Sequence, residues 1–247
     1  MAPQKLSTLT DYQTLVDKYD TFLFDCDGVI WRGSTAIVNV QATLSMLRNR
    51  GKRLIFVTNN SGTSRKDYVT KFAKLGIQAS LCLATAVYLS EVARFPSNKK
   101  AYVIGGSAFV EPNPDVAAVV FGIDYDITYR KLANAHLNLT LNPGCLFIAT
   151  NDDRTLPGGK HTLIHSTQRS PLVMGKPNTP MLDSRPHRSC MVGDRLDTDI
   201  LFGIKGGLST LCVLTGVADE AAVLDPVAPQ ATYYISSLGD LCDLAAN

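Results

Sequence analysis

The sequence predicts an α/β protein whose core is a doubly wound parallel sheet with a second α/β unit inserted into it. Three observations point there. Short apolar runs, TFLF at 21–24 and RLIFVT at 53–58, alternate with amphipathic stretches near 39–50 and 64–75. Such alternation calls for right-handed crossovers and a sheet covered on both faces. It resumes late in the chain with SCMVG (189–193), a helix over 197–205, STLCVL (209–214) and TYYIS (232–236). Between these parts, residues 98–172 carry strands and a helix of their own, separated by loops rich in Gly, Pro and Asn. The expected division is a core of 1–97 and 173–247 and an inserted unit of 98–172.

Each element has a local reason. The run at 21–24 ends in Asp-Cys-Asp-Gly, where Asp27-Gly28 favours a turn with positive φ. The helix near 64–75 has a candidate capping box in Ser64 and Asp67, and Gly76 stands just past its end. In the inserted unit AYVIG, VAAVVFG and CLFIAT read as strands and 127–137 as a helix. Three connections are short for this topology. FVEPNPD leaves no room for a full crossover helix after AYVIGGSA, although parallel strands need a dozen or more connecting residues. No helix is expected between GGKHTLIHS and VMGKPN, and the one after KPN has about two turns before Pro186 stops it.

Composition narrows the function classes. The 247 residues are 45% hydrophobic, enough for a core, and 24 Lys and Arg nearly balance 22 Asp and Glu. With no polybasic or acidic block, nucleic acid and membrane surfaces are not expected partners. The N-terminus MAPQKLSTLTDYQTLVDKYD is too polar for a signal peptide, and no apolar run approaches the roughly 20 residues of a membrane span, so a cytoplasmic location is expected. The six cysteines, at 26, 82, 145, 190, 212 and 242, are scattered through apolar runs without a CxxC pair and are read as reduced thiols. In that compartment the sequons at Asn59 and Asn138 carry no meaning, and His136, His161, His165 and His187 show no metal-site spacing.

In an open parallel sheet, ligands bind beyond the carboxyl ends of the strands. That rule selects DCDG at 25–28, TNNSG at 58–62, GKPN at 175–178 and GDRLDTD at 193–199. A turn at Gly28 needs only one of Asp25 and Asp27, and a helix cap needs only one of Asp194 and Asp199. Clustered carboxylates raise one another's pKa unless a cation joins them, and an all-oxygen set suits Mg²⁺. Asp25 and Asp194 are the first choices as ligands. One carboxylate can then attack phosphorus to form an aspartyl phosphate while a second, Asp27 by position, protonates the leaving alcohol and activates water. The Thr58 hydroxyl, the amides near Asn59 and the Lys176 ammonium suit the charge of the transferred group.

The succession DCDG, VTNN, GKPN, GDRLDTDI resembles the four motifs of haloacid-dehalogenase-superfamily phosphatases. DCDGVIWRG and MVGDRLDTDI narrow the resemblance to the 4-nitrophenylphosphatase and phosphoglycolate phosphatase group. The resemblance implies a Rossmann-like core with an α/β cap between the second and third motifs, Mg²⁺ dependence and a homodimer through the cap. It makes Asp25 the nucleophile and Asp27 the acid/base, with the Asp27 carbonyl a metal ligand. Thr58 and Lys176 become phosphate-binding residues, Asp194 a metal ligand and Asp199 a support for the metal's waters, while Asn59 acts through its backbone amide. Dehalogenases of the superfamily lack the second acid, so Asp27 argues for a phosphate ester; phosphomutases keep both acids.

Substrate choice falls to the cap. ATNDDRTLP (149–157) resembles the cap loop of phosphoglycolate phosphatases, which places Asn151, Asp153, Arg154 and Leu156 at the substrate mouth and offers Arg154 to a substrate carboxylate. The expected partner is a small phosphorylated metabolite, 2-phosphoglycolate first and 4-nitrophenyl phosphate as an artificial ester. The alternatives are a pyridoxal phosphate or phosphoprotein phosphatase, and, in another class, a non-catalytic binding protein of the same fold.

Overall fold

The computed structural model describes residues 2–60, 65–78, 95–104, 114–124, 126–151, 160–179 and 188–245. Ser64, Cys82, Asp153, Arg154, Leu156, Pro186 and His187 lie outside the described residues, and with them the Ser64 cap, the short helix after KPN and most of the expected substrate loop. The chain divides into two compact units. One comprises Met1–Thr58, Arg65–Cys82 and Leu182–Asn247; the other comprises Asn59–Ser64 and Leu83–Met181.

In chain order the first unit opens with β1 (Gln4–Lys5), α1 (Leu9–Lys18), β2 (Thr21–Phe24), the hairpin β3 (Trp31–Arg32) and β4 (Thr35–Ala36), α2 (Val40–Asn49), β5 (Arg53–Phe56) and α3 (Arg65–Lys74). The second unit contributes β6 (Lys100–Ile104), β7 (Val116–Phe121), α4 (Tyr129–Leu141), β8 (Leu146–Ala149), α5 (Lys160–Thr167) and β9 (Leu172–Val173). The first unit is completed by β10 (Ser189–Gly193), a π-helical turn (Leu196–Ile200) leading into α6 (Leu201–Lys205), β11 (Ser209–Val213), α7 (Glu220–Leu224), β12 (Tyr233–Ile235) and a 3₁₀ stretch (Leu238–Ala245).

The sheet of the first unit has the order β1-β12-β11-β10-β2-β5, parallel throughout. Every residue of β2 and of β10 is buried, which explains why these strands read as continuous apolar runs. Phe24, Phe56 and Phe72 interlock, with centroids 5.7 Å apart for the first pair and 4.8 Å for the second. Burying each such side chain contributes about 1.5–3 kcal/mol. Past α3, Gly76 takes φ +66° and Ile77 N–H returns to the Phe72 carbonyl at 2.9 Å, the glycine stop its position predicts.

β1 and α1 are among the elements of this unit that have no counterpart in the sequence reading. β1 is two residues long at the sheet edge. The helix α1 lies in a stretch judged only for its polarity, and it starts with a capping box. Asp11 N–H donates to Thr8 Oγ1 at 3.2 Å and Thr8 N–H to Asp11 Oδ2 at 2.9 Å. The Thr8 hydroxyl, then the Ser7 and Thr8 amides, hold the Asp11 carboxyl below its usual range.

In the second unit β6-β7-β8-β9 form a parallel sheet. Tyr102, Ile104, Val119, Phe121 and Phe147 share one core with Ala135 and Leu139 of α4 and Leu163 of α5. The alternate residues Val120 and Ile148 pack with Met174 on the other side, as the period of a strand requires. β6 and β7 pair in parallel although only residues 105–115 join them. α5 forms over Lys160–Thr167, running from within GGKHTLIHS to one residue past it, with Leu163 buried; the sequence reading assigned that stretch no helix.

Candidate active site

Strand order brings the first two acids together. β2 and β10 are neighbours, with Phe24 opposite Val192, so Asp25 and Asp194 leave adjacent strand ends. Asp25 N–H continues the ladder to the Val192 carbonyl at 2.9 Å. Asp199 is delivered by the π-helical turn, in which the amides of Asp199 and Ile200 both donate to the Arg195 carbonyl, at 3.0 and 3.1 Å. The wide turn swings the Asp199 carboxylate back over the end of β10. There its Oδ2 accepts from the N–H groups of Asp194 and Arg195 at 3.2 and 3.1 Å.

The result is a buried triad. Asp25, Asp194 and Asp199 are 9%, 3% and 1% exposed, and each offers an oxygen within 4.8 Å of the others'. Three buried carboxylates held this close call for a compensating cation, and hard oxygen donors fit a divalent ion such as Mg²⁺. Burial, followed by the charges of Asp194 and Asp199, pushes the neighbouring Cys212 thiol up to about 12.

Glycines make the room. A Cβ at Gly216 would lie 1.8 Å from Asp194 Oδ2, one at Gly28 2.5 Å from the same atom, and one at Gly193 2.1 Å from Asp199 Cβ. Gly28 also has φ +84°, the turn expected from Asp27-Gly28. The loop after β11 closes on Asp194. Val217 N–H donates to Asp194 Oδ2 at 2.8 Å and Ala218 N–H to the Asp194 carbonyl at 2.9 Å. Thr215 Oγ1 donates to the Gly28 carbonyl at 2.6 Å, and Arg32 Nε to the Thr215 carbonyl at 2.5 Å. None of Gly193, Gly216 and Val217 was singled out from the sequence for contact with the acids. The rule of carboxyl strand ends, applied once more to LTGVAD after β11, would have found the last two.

Asp27 stands apart from the triad, with an exposed side chain whose Oδ1 accepts from Trp31 Nε1 at 2.8 Å. Thr58, half-buried past β5, is hydrogen-bonded to the Tyr68 hydroxyl. Burial pushes Tyr68 up to about 12; Cys26, Asp27 and Asp25 push the same way and the Thr58 bond opposes them.

Asn59, Asn151 and Lys176 form a second cluster, within the second unit. Asn59 grips the backbone of Lys176 at two points: its Nδ2 donates to the Lys176 carbonyl at 2.9 Å and its Oδ1 accepts from the Lys176 N–H at 2.8 Å. Asn151 Nδ2 donates to the Asn59 carbonyl at 2.9 Å. A Cβ at Gly175 would lie 2.7 Å from the Thr150 carbonyl and 2.9 Å from Asn151 Cβ, so the loop bearing Lys176 passes tightly over Asn151. Lys176 is 3% exposed. The Asn59 side chain, expected to matter little beside its amide, is the clamp of this cluster.

Among the described residues the cysteines at 26, 145, 190 and 212 are buried and Cys242 is half-buried, none in a disulfide. No described helix is long and apolar enough to cross a membrane.

Comparison with known proteins follows the same lines. The model for haloacid dehalogenase-like hydrolases matches residues 22–114, and a second model of HAD-like hydrolases matches 173–241. Phosphoglycolate phosphatase 2 of Arabidopsis thaliana is 42% identical, covering 99% of this chain and 99% of that protein. Its alignment runs over 301 positions against a chain of 247 residues, so the relative carries residues without counterpart here. The 4-nitrophenylphosphatase of Schizosaccharomyces pombe is 36% identical over 98% of this chain and 99% of its own. Among solved structures, a glycerol phosphate phosphatase from Mycobacterium tuberculosis in complex with magnesium superposes with a TM-score of 0.76 at 27% identity, covering 92% of this chain and 77% of that one.

Proposed function

The chain belongs to the haloacid dehalogenase-like hydrolases, as a phosphoric monoester hydrolase, and from that premise we propose that it is Mg²⁺-dependent and cleaves small phosphate esters through an aspartyl phosphate, 2-phosphoglycolate first among them. The observation that carries this reading is the buried triad of Asp25, Asp194 and Asp199 at adjacent strand ends.

Asp25 and Asp194 would hold the ion directly, together with the Asp27 carbonyl. Asp199, whose Oδ2 already accepts two amides, would support the ion from behind rather than hold it directly. When bound, the ion supplies positive charge that offsets the carboxylates and the phosphoryl oxygens. The remaining steps belong to side chains. An Asp25 oxygen attacks phosphorus, the ester P–O bond breaks, and Asp27 hands its proton to the departing alkoxide. Asp27, now a carboxylate, takes a proton from the water that attacks the phosphoenzyme. The bond between phosphorus and Asp25 breaks, and inorganic phosphate leaves. Thr58 and Lys176 bind the phosphoryl oxygens, and Asn59 and Asn151 fix the loop that presents Lys176. The second unit, with Asp153, Arg154 and Leu156, selects the rest of the substrate.

The identity to a phosphoglycolate phosphatase across the whole chain favours 2-phosphoglycolate. Glycerol 3-phosphate is the second reading, favoured by the magnesium-bound glycerol phosphate phosphatase. Phosphate release from 2-phosphoglycolate, glycerol 3-phosphate, pyridoxal 5′-phosphate and 4-nitrophenyl phosphate, with Mg²⁺ or with chelator, tests both. The expected outcome is Mg²⁺-dependent release fastest from 2-phosphoglycolate. A glycerol 3-phosphate preference moves the substrate alone, and silence with every ester ends the catalytic reading.

A further inference from the structure

Asp27 must do two things in the proposed reaction: present an oxygen to the leaving group, and present the same oxygen to water. An exposed carboxylate turns freely about its terminal bond, which dilutes any productive orientation. Something has to hold it. The described residues around Asp27 contain a group suited to that task.

Trp31 is completely buried, yet its indole Nε1–H reaches the exposed Asp27 and donates to Oδ1 at 2.8 Å. The backbone between them is itself a closed turn, with Gly28 N–H donating to the Trp31 carbonyl at 2.7 Å and Trp31 N–H to the Cys26 carbonyl at 3.2 Å. The ring cannot swing away. Phe72 packs edge-on against it with centroids 4.9 Å apart, and Tyr68 stacks at 6.2 Å. Lys71 Nζ sits 4.0 Å from the centre of the ring. A cation on the π face draws electron density from the indole and makes its N–H a stronger donor. Tyr68, Lys71 and Phe72 all come from α3, so one helix clamps the ring.

We propose that Trp31 is the positioning residue of the acid/base: its indole N–H fixes the Asp27 carboxyl through Oδ1, leaving Oδ2 as the atom that gives the proton to the leaving alkoxide and later takes one from water. The proposal rests on the mechanism above. With Oδ1 occupied by the indole N–H, Oδ2 is the oxygen left open to the leaving group and to water. In the first step the Oδ2–H bond breaks as the alkoxide O–H bond forms; in the second a water O–H bond breaks and Oδ2–H is restored. The indole keeps its own proton throughout.

The chain holds a single tryptophan, so its replacement during biosynthesis changes this residue alone. The benzothiophene analogue of tryptophan keeps the ring shape and substitutes sulfur for N–H, and Trp31→Phe removes the donor by mutation. For each, kcat/KM is measured with Mg²⁺ on 2-phosphoglycolate or glycerol 3-phosphate, whichever the wild type hydrolyses faster, and on 4-nitrophenyl phosphate. An alkoxide needs a proton to leave and 4-nitrophenolate does not. Loss of positioning should therefore lower kcat/KM for the alkyl ester about tenfold and for the nitrophenyl ester less than about twofold. The ratio is taken on one sample, so misfolded protein cancels from it. Equal loss on both esters, or no loss on either, overturns the role of Trp31. A wild type that releases phosphate from none of the esters instead removes the catalytic reading on which the proposal stands.

Discussion

The two clusters of candidate site residues are built by opposite means. In the first unit the groups are carboxylates, and they are held by main chain: the amides of Asp194, Arg195 and Val217 donate to Asp199 and Asp194, and glycines at 28, 193 and 216 leave the hollows. In the second unit the group is a lysine, and a side chain grips its main chain, Asn59 on both polar atoms of Lys176. The difference follows from charge. Three acids crowded together must be prevented from spreading, and backbone donors fixed by a strand end and a π-helical turn cannot rotate away. A single cation needs only its loop aimed.

The strongest way to break the comparison is to remove an acid. Asp25→Asn is nearly isosteric and takes away the attacking charge, so turnover should fall at least ~10⁴-fold while the protein still melts in one cooperative transition. Steady-state rates and calorimetry on one preparation check both halves. Asp27→Asn leaves the triad in place but removes the proton carrier, and rates should drop about 10²–10⁴-fold while phosphoenzyme accumulates under acid quench. Ordinary turnover in either variant would contradict the assignment.

Smaller effects test the supports. Gly216→Ala puts a methyl group where Asp194 Oδ2 lies and should weaken Mg²⁺ about 10–100-fold, read by metal titration of activity, with the KM for ester at saturating metal little changed. Asn59→Ala should do the reverse: metal affinity stays, and KM rises about five- to tenfold from the two lost hydrogen bonds. If both variants changed metal affinity alike, the division of labour between the clusters would be wrong. The smallest effect is alkaline. Tyr68 is raised to about 12 in the folded chain, above its ordinary value of 10.0, so it contributes stability that is complete below pH 10 and is lost as the pH climbs toward 12. Tyr68→Phe should flatten that part of the stability curve against pH, as seen in urea melts.

Much of this was legible in the sequence because it is local. β2, β10 and β11 are runs of buried apolar residues bounded by turn residues, and the acids stand one residue beyond β2 and β10, where an open sheet binds ligands. What stayed hidden depends on partners remote in sequence. β1 is two residues whose only reason to be a strand is β12, more than two hundred residues on. Val217 matters through Asp194, and the Asn59 side chain through Lys176. No periodicity records such pairings. α1 is a different case, since Thr8-x-x-Asp11 was a readable start signal in a stretch inspected only for its polarity.

The sheet order has a consequence for how the molecule is made. β2 finds β5 close by in the sequence, but its other neighbour, β10, emerges from the ribosome only after the whole second unit. Until then β2 has one open edge, and Asp25 lacks both acids that would share an ion with it. Pairings of such long separation are slow to close and leave strand edges available to other chains in the meantime. The nascent protein is therefore least protected during synthesis of the unit that interrupts its sheet, and its acidic triad cannot assemble until the chain has been made as far as Asp199.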